Sequence, residues 1–240
     1  ALIESYRIFA SDRDNITFDY QGNDKEFSGS NDDYIKDKIS LFDNQNAGKY
    51  SFPNPHGGGT AYMNAVDENG LGISLIQSNF YGIGSRIGVG KYGFFLHNRG
   101  CGFNLIKDHP NSLGPNKKPL HTLSPTIWSK DGSLDFITGT RGGRYQPQLL
   151  AQTILPYILE ESSFEEIMKQ PRWTIEYFGS DTSSNIKFEF IEESEVSSLE
   201  EKGHKISIEN KLIGGYGPIS TIYKNSDEKF IGVPDIRVGT

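Results

Sequence analysis

The sequence predicts an α/β protein of the α+β kind, a layered sandwich rather than a doubly wound parallel sheet. Three observations carry this. Strand-like segments come first and helices follow, and neighbouring strands are joined by hairpin-type turns. The chain holds 27 glycines and 12% aromatic residues, which suits many tight turns between packed strands. At 240 residues it is long enough to bury a substantial core.

The elements follow in order. Residues 1–11 have apolar positions at 2, 3, 6 and 9, the spacing of an amphipathic helix already under way, so a longer gene product upstream of Ala1 is expected. Residues 12–50 are polar, with a short helix predicted around Asp32–Leu41. Ser51-Phe52-Pro53-Asn54-Pro55-His56 and three glycines read as linker punctuation and the strongest boundary. Ala61–Asp67 and Leu71–Phe80 read as strands around Asp67-Glu68-Asn69-Gly70, where Asn-Gly is a hairpin signal. Gly93–Asn98, Pro125–Lys130 and Leu134–Thr138 read as further strands. Pro147–Glu160 is an apolar-faced helix that Pro156 should kink or split. Ser163-Phe164-Glu165-Glu166 is a capping-box pattern opening a helix through Lys169. Residues 174–191 are strand-rich, Glu193–Lys202 a short helix and Lys205–Glu209 a strand. A second glycine cluster, Gly214-Gly215-Tyr216-Gly217-Pro218, stands in the tail.

Composition removes several function classes. Net charge is −7 and no basic stripe is visible, so no nucleic-acid partner is expected. No apolar run approaches the length of a membrane helix. The single cysteine, Cys101, cannot form an intrachain disulfide and reads as packed. The histidines at 56, 97, 109, 121 and 204 show no metal-ligand spacing, so neither a metal nor a cofactor is expected. The compartment stays open, with the cytoplasm preferred. The loop from Gly82 to Lys91 invites a nucleotide reading and fails it. A phosphate loop ending at Gly90-Lys91 has Ser85 and Tyr92 where glycine and a serine or threonine are needed, and a strand rather than a helix follows.

Gly57-Gly58-Gly59-Thr60 carries the chemistry. A glycine run that opens onto a threonine at the head of a strand is either a flexible loop or a self-cleavage site. A cut before Thr60 would free an α-amine able to serve as base for the threonine hydroxyl.

The ordered segments Gly59-Thr60, Asp67–Gly70, Ser74–Ser78, Gly82–Ser85, Leu96–Phe103, His109–Leu113, Pro115–Thr126, Thr138–Gly143 and Pro171–Trp173 closely resemble the gamma-glutamyltranspeptidase (glutathione hydrolase) family of N-terminal-nucleophile hydrolases. The resemblance is strongest over residues 56–175 and continues in register at Ser11–Asp14 and Val233–Arg237. It implies a four-layer αββα sandwich of which this chain is the C-terminal part. Residues 1–59 would end the large subunit and residues 60–240 would form the small one. It also implies self-cleavage between Gly59 and Thr60, a heterodimer with the remainder of the large subunit, and possible pairing of heterodimers. Thr60 matches the nucleophile, Ser78 the hydroxyl residue supporting it, and Gly142 and Gly143 the pair whose N–H groups form the oxyanion hole.

The acyl pocket departs from the family pattern. Where an asparagine, a glutamine and an aspartate bind the α-amino end of a glutamyl group, this chain has Phe80, Arg99 and Gly102. Where a serine pair holds the α-carboxylate it has His121 and Thr122. Arg99 favours a carboxylate over an ammonium. The expected substrate is a small γ-glutamyl or related amide with an acidic acyl group. Two alternatives stand beside this reading: a binding or scaffold homologue that never matures, and an acylase for larger amides such as poly-γ-glutamate or β-lactam side chains.

Overall fold

The structure, a computed structural model, describes residues 1–19, 31–50, 59–176, 185–214 and 217–238. Gly57, Gly58, the proline-rich stretch before them, and Gly215-Tyr216 lie outside the described residues.

Three helices come first: α1 (Leu2–Ser11), α2 (Arg13–Ile16) and α3 (Asp32–Ser40). The strands β1 (Thr60–Val66) and β2 (Gly72–Ser78) form the expected antiparallel hairpin. Two-residue strands follow, β3 (Gly88–Val89) and β4 (Phe94–Phe95), and then β5 (Thr126–Lys130) and β6 (Ser133–Thr140). Next come α4 (Gln146–Leu159), α5 (Phe164–Ile167), β7 (Trp173–Glu176), β8 (Asn185–Phe188), α6 (Glu193–Glu201) and β9 (Lys205–Ile208). The chain closes on β10 (Ile219–Lys224) and β11 (Phe230–Val233).

The central element is an antiparallel four-stranded sheet in the order β11-β10-β6-β5. One face carries α4 and α5. Phe136, Leu149, Leu150, Ile154, Phe164 and Met168 are buried there together. The β1–β2 hairpin packs on the opposite face, so strand layer lies on strand layer. Glycines make that approach close. A Cβ on Gly72 would stand 2.5 Å from Ile137 Cδ1, and one on Gly139 would stand 2.2 Å from Tyr62 Cε2. Asn64 and Ser220 then join the layers, Asn64 Nδ2 donating to the Ser220 carbonyl at 3.1 Å. This is the expected α+β sandwich. The outward face of the hairpin, with Met63, Ile73 and Leu75, is exposed.

A second sheet, β7-β8-β9, packs with α1 and α6 around Ile175, Ile186 and Phe188. Glutamines one turn apart on α4 bind its β7 edge. Gln148 Oε1 accepts from Ile175 N, and Gln152 bonds both N and O of Trp173.

Several boundaries differ from expectation. The predicted strand at 93–98 shortens to Phe94–Phe95. α4 runs unbroken through Pro156, which stands near its C-terminal end where little helix remains to disrupt. The capping box at Ser163–Glu166 forms, but its helix ends at Ile167. The strands β10 and β11 had no counterpart in the sequence reading. Cys101 is exposed, not packed, because the short 3-10 turn at Arg99–Gly102 faces it outward.

A buried charge network locks the tail strands to the second sheet. Arg172 donates to Asp235 at 2.6 Å, and Asp235 also accepts from the backbone N–H groups of Ile219 and Arg237. Arg237 pairs with Glu189, which accepts from Arg172 N and Ile213 N as well. Burial alone would raise the Asp235 carboxyl, but Arg172 and the two N–H groups outweigh it and hold the pKa below the ordinary value. Asp235→Ala is therefore expected to cost about 3–5 kcal/mol, read as a lower urea midpoint. With its folded pKa depressed, the contribution of Asp235 is full above the usual carboxylate range and fades as pH falls through it. The difference in stability between Asp235→Asn and wild type should shrink accordingly towards acid pH.

Candidate functional site

Thr60 is the first residue of β1 and is buried. Its place is set by the turn at the far end of the hairpin. Asp67 Oδ1 accepts from Asn69 N and Leu71 N, and Gly70 takes φ +84°, a conformation that favours glycine. This register pairs Thr60 with Ser78 directly across the ladder. The Thr60 hydroxyl donates to Ser78 Oγ at 2.9 Å. Ser78 Oγ also accepts from Phe80 N at 3.1 Å, so two donors orient it. Just upstream, Gly59 N donates to the Gly82 carbonyl at 3.0 Å, and a Cβ on Gly59 would stand 2.6 Å from that oxygen. The glycine before Thr60 is thus required by close backbone approach.

Phe80 adopts φ +79°, an outlier for a bulky residue, and is buried. Its ring stacks on Tyr81 at 4.0 Å, and the Arg99 guanidinium lies over it at 4.8 Å. Arg99 is only 6% exposed. Its Nη2 reaches the Ser78 carbonyl at 3.5 Å, a long contact, and its Nη1 has no hydrogen-bond partner among the described residues. No carboxylate pairs with it among the described residues. Burial pushes its pKa below the ordinary guanidinium value.

His121 is exposed and Thr122 buried. Partial loss of water around the ring, and then the charges of Arg99 and His97, push the His121 pKa down although the residue as a whole is exposed. Gly102 has a packing role: a Cβ there would stand 3.0 Å from the Leu120 carbonyl, and its own carbonyl accepts from Asn111 Nδ2 at 2.7 Å. Gly142 (φ +122°) and Gly143 (φ +57°) form the turn between β6 and α4. Arg141, immediately before them, lines with Thr60, Tyr62, Pro218 and Asp235 a cavity of about 390 Å³. The structure therefore joins Thr60, Ser78, Phe80 and Arg99 by direct contacts. It sets the glycine pair one residue from a wall of the cavity that Thr60 also lines.

A model of the gamma-glutamyltranspeptidase family matches residues 1–239. The chain belongs to this family. Among curated relatives it is 30% identical over 189 residues to the oxamate amidohydrolase proenzyme of Klebsiella pneumoniae, covering 76% of this chain and 36% of that protein. It is 30% identical over 167 residues to the glutathione hydrolase-like YwrD proenzyme of Bacillus subtilis, covering 69% and 31%. The chain thus spans about a third of the length of these relatives. In fold it is similar to cephalosporin acylase from Bacillus halodurans, with TM-score 0.82, 23% identity, and coverage of 99% of this chain and 43% of that one. A gamma-glutamyltranspeptidase from Pseudomonas nitroreducens gives TM-score 0.62 at 19% identity, covering 75% and 96%. The fold is that of the N-terminal-nucleophile hydrolases.

Three positions escaped the sequence reading of this gamma-glutamyltranspeptidase homologue. Gly217 (φ +92°) lies so close to the Arg141 carbonyl that a Cβ would overlap it. Thr140 donates at 2.8 Å to the Gly217 carbonyl, clamping the glycine pair's loop to the tail. Asn98 bonds Tyr81 N, Tyr81 O and Gly84 O, fixing the loop beyond Phe80. The tail glycine cluster was the one available signal for Gly217, and nothing local marked its partner. No helix among the described residues is long and apolar enough to cross a membrane, and no group of three or more His, Cys, Asp or Glu gathers there to hold a metal. Gly217→Ala is expected to cost at least about 1 kcal/mol, because it adds a positive-φ penalty to a clash with Arg141. A lower urea midpoint, with activity per folded molecule falling further than that of a control at exposed Ser226, Ser226→Ala, checks both effects.

Proposed function

We propose that the protein is a self-processing amidohydrolase whose nucleophile is Thr60. The observation that carries this reading is the hydrogen bond from the Thr60 hydroxyl to Ser78 Oγ at the head of the hairpin, with a sterically required glycine before it. In processing, Thr60 Oγ attacks the Gly59 carbonyl carbon. Its proton passes towards Ser78, which hands on its own, and the peptide C–N bond breaks as the Thr60 nitrogen gains a proton. Water then hydrolyses the resulting ester, leaving a Gly59 carboxylate and a free Thr60 amine. α1 is packed into the second core, so the two pieces stay associated after the cut. On this reading residues 1–59 belong to the large portion, residues 60–240 to the small one, and the mature form is at least a heterodimer.

In turnover, the freed amine takes the Thr60 hydroxyl proton while Oγ attacks a substrate amide carbonyl. N–H groups at Gly142 and Gly143 stabilise the developing oxyanion, an effect of about 3–4 kcal/mol per donor in comparable sites. The leaving amine departs with a proton, and water or an acceptor amine releases the acyl group. Relatives named as a glutathione hydrolase-like proenzyme and an oxamate amidohydrolase proenzyme support amide cleavage after processing. The acyl pocket, with Phe80 and Arg99 beside the nucleophile, supports an acidic acyl group.

Intact masses of the purified full-length protein test the first step. Wild type is expected as two chains split at Gly59–Thr60, and Thr60→Ala as one. Ser78→Ala should slow the split by about a hundredfold or more, because it loses an oriented proton acceptor. A wild type that stays whole under all folding conditions would transfer the assignment to an unprocessed binding or scaffold protein.

A further inference from the structure

We propose that Arg99 is the acyl-carboxylate anchor of this site, and that the site selects amides of short dicarboxylic acids lacking an α-amino group. This rests on Thr60 being the nucleophile and names the substrate that nucleophile serves.

The argument begins with an uncompensated charge. The other deeply buried arginines of the sheet layers, Arg172 and Arg237, each meet carboxylates at hydrogen-bond distance. Arg99 is equally buried and meets none among the described residues. It has the Phe80 ring on one side, a long contact to a carbonyl, and one nitrogen without a partner among the described residues. A ring face offsets part of the desolvation of a guanidinium, but it cannot occupy the in-plane N–H donors. Those donors suit a planar anion held by paired hydrogen bonds. Phe80 supports the arrangement at both ends, its N–H orienting Ser78 Oγ and its ring carrying the guanidinium, and it accepts a strained φ to do so.

Geometry sets the length of the acyl chain. The Thr60 hydroxyl is 2.9 Å from Ser78 Oγ, and the Ser78 carbonyl is 3.5 Å from Arg99 Nη2. A serine spans about 4 Å between those two oxygens, so nucleophile and guanidinium lie at most ~10 Å apart. A carbonyl in attack position occupies about 3 Å at one end and a charge-assisted hydrogen bond about 3 Å at the other. At most about 4 Å is left between the attacked carbon and the carboxylate oxygen, by the same bond lengths. Oxamate, malonamate and succinamate fit that span, whereas extended glutaramate overshoots it. An ammonium on the chain would meet the guanidinium, and no carboxylate among the described residues pairs with that guanidinium to receive it. Arg141, the other arginine near Thr60, is exposed and hydrated, and so is a weaker anchor. The reaction is hydrolysis: the amide C–N bond breaks, water supplies the hydroxyl and a proton, and a dicarboxylate and ammonia leave.

The test is kcat/KM of the full-length protein for oxamate, malonamate, succinamate, glutaramate, asparagine and uncharged propionamide, with malonate binding measured calorimetrically in parallel. The expected result has the three short carboxylates above propionamide by about a hundredfold, the size of a buried ion-pair contribution. Glutaramate and asparagine should fall below succinamate. Arg99→Met should remove most of that preference and weaken malonate binding by a similar factor, Arg99→Lys should keep part of both, and Arg141→Gln should keep nearly all. Wild-type titration does not depend on any variant folding. Because binding needs no turnover, failure of Thr60 processing with tight, Arg99-dependent malonate binding would sink the Thr60 reading and leave the anchor standing. A processed, active enzyme that treats propionamide and succinamate alike, or whose preference follows Arg141, overturns the anchor.

Discussion

The antiparallel register of the β1–β2 hairpin ties the site together. Thr60 faces Ser78 only because the Asp67–Leu71 turn brings the strands back without a slipped residue. A slip of β1 by one position would send its inward set, with Tyr62, Asn64 and Val66, to the exposed face. It would also move Thr60 away from the cavity it shares with Arg141. The central sheet reinforces the register through Gly72 and Gly139, whose missing side chains admit Ile137 and Tyr62 from the opposite layer. The 2.9 Å contact between Thr60 and Ser78 is thus the product of a turn some seven residues away and of sheet packing.

Buried charge is handled in two ways within one chain. Around Arg172, Asp235, Glu189 and Arg237 every carboxylate is met by guanidinium and backbone donors, and the cluster binds the tail to the helix-and-sheet core. Around Arg99 the described residues offer the cation an aromatic ring and a long carbonyl contact. A fully paired cluster lowers the cost of burial and acts as a brace. An incompletely paired one keeps binding capacity for a ligand.

The tail matters as much as the head. Gly217 and Thr140 clamp the loop that presents Gly142 and Gly143, and Asp235 lines the cavity beside Thr60. Residues more than a hundred positions apart therefore shape one cavity, and α1, which precedes the Gly59–Thr60 bond, packs into the second core.

Local patterning made much of this visible in advance. The hairpin around Asn69-Gly70, the capping box at Ser163, the apolar face of α4 and the Gly59-Thr60 junction are short-range signals, since turn chemistry and periodicity act over a few residues. Candidate residues Thr60, Ser78, Phe80 and Arg99 were legible from ordered motifs and are in mutual contact. The strands β10 and β11 were not legible, because their pairing with β6 is a long-range choice that leaves a weak local pattern. Nor could the sequence tell that Gly102 packs tightly against the Leu120 carbonyl, that Cys101 faces solvent, or that Arg99 meets no carboxylate among the described residues. Each of those facts depends on which distant groups share a volume, and only packing decides that.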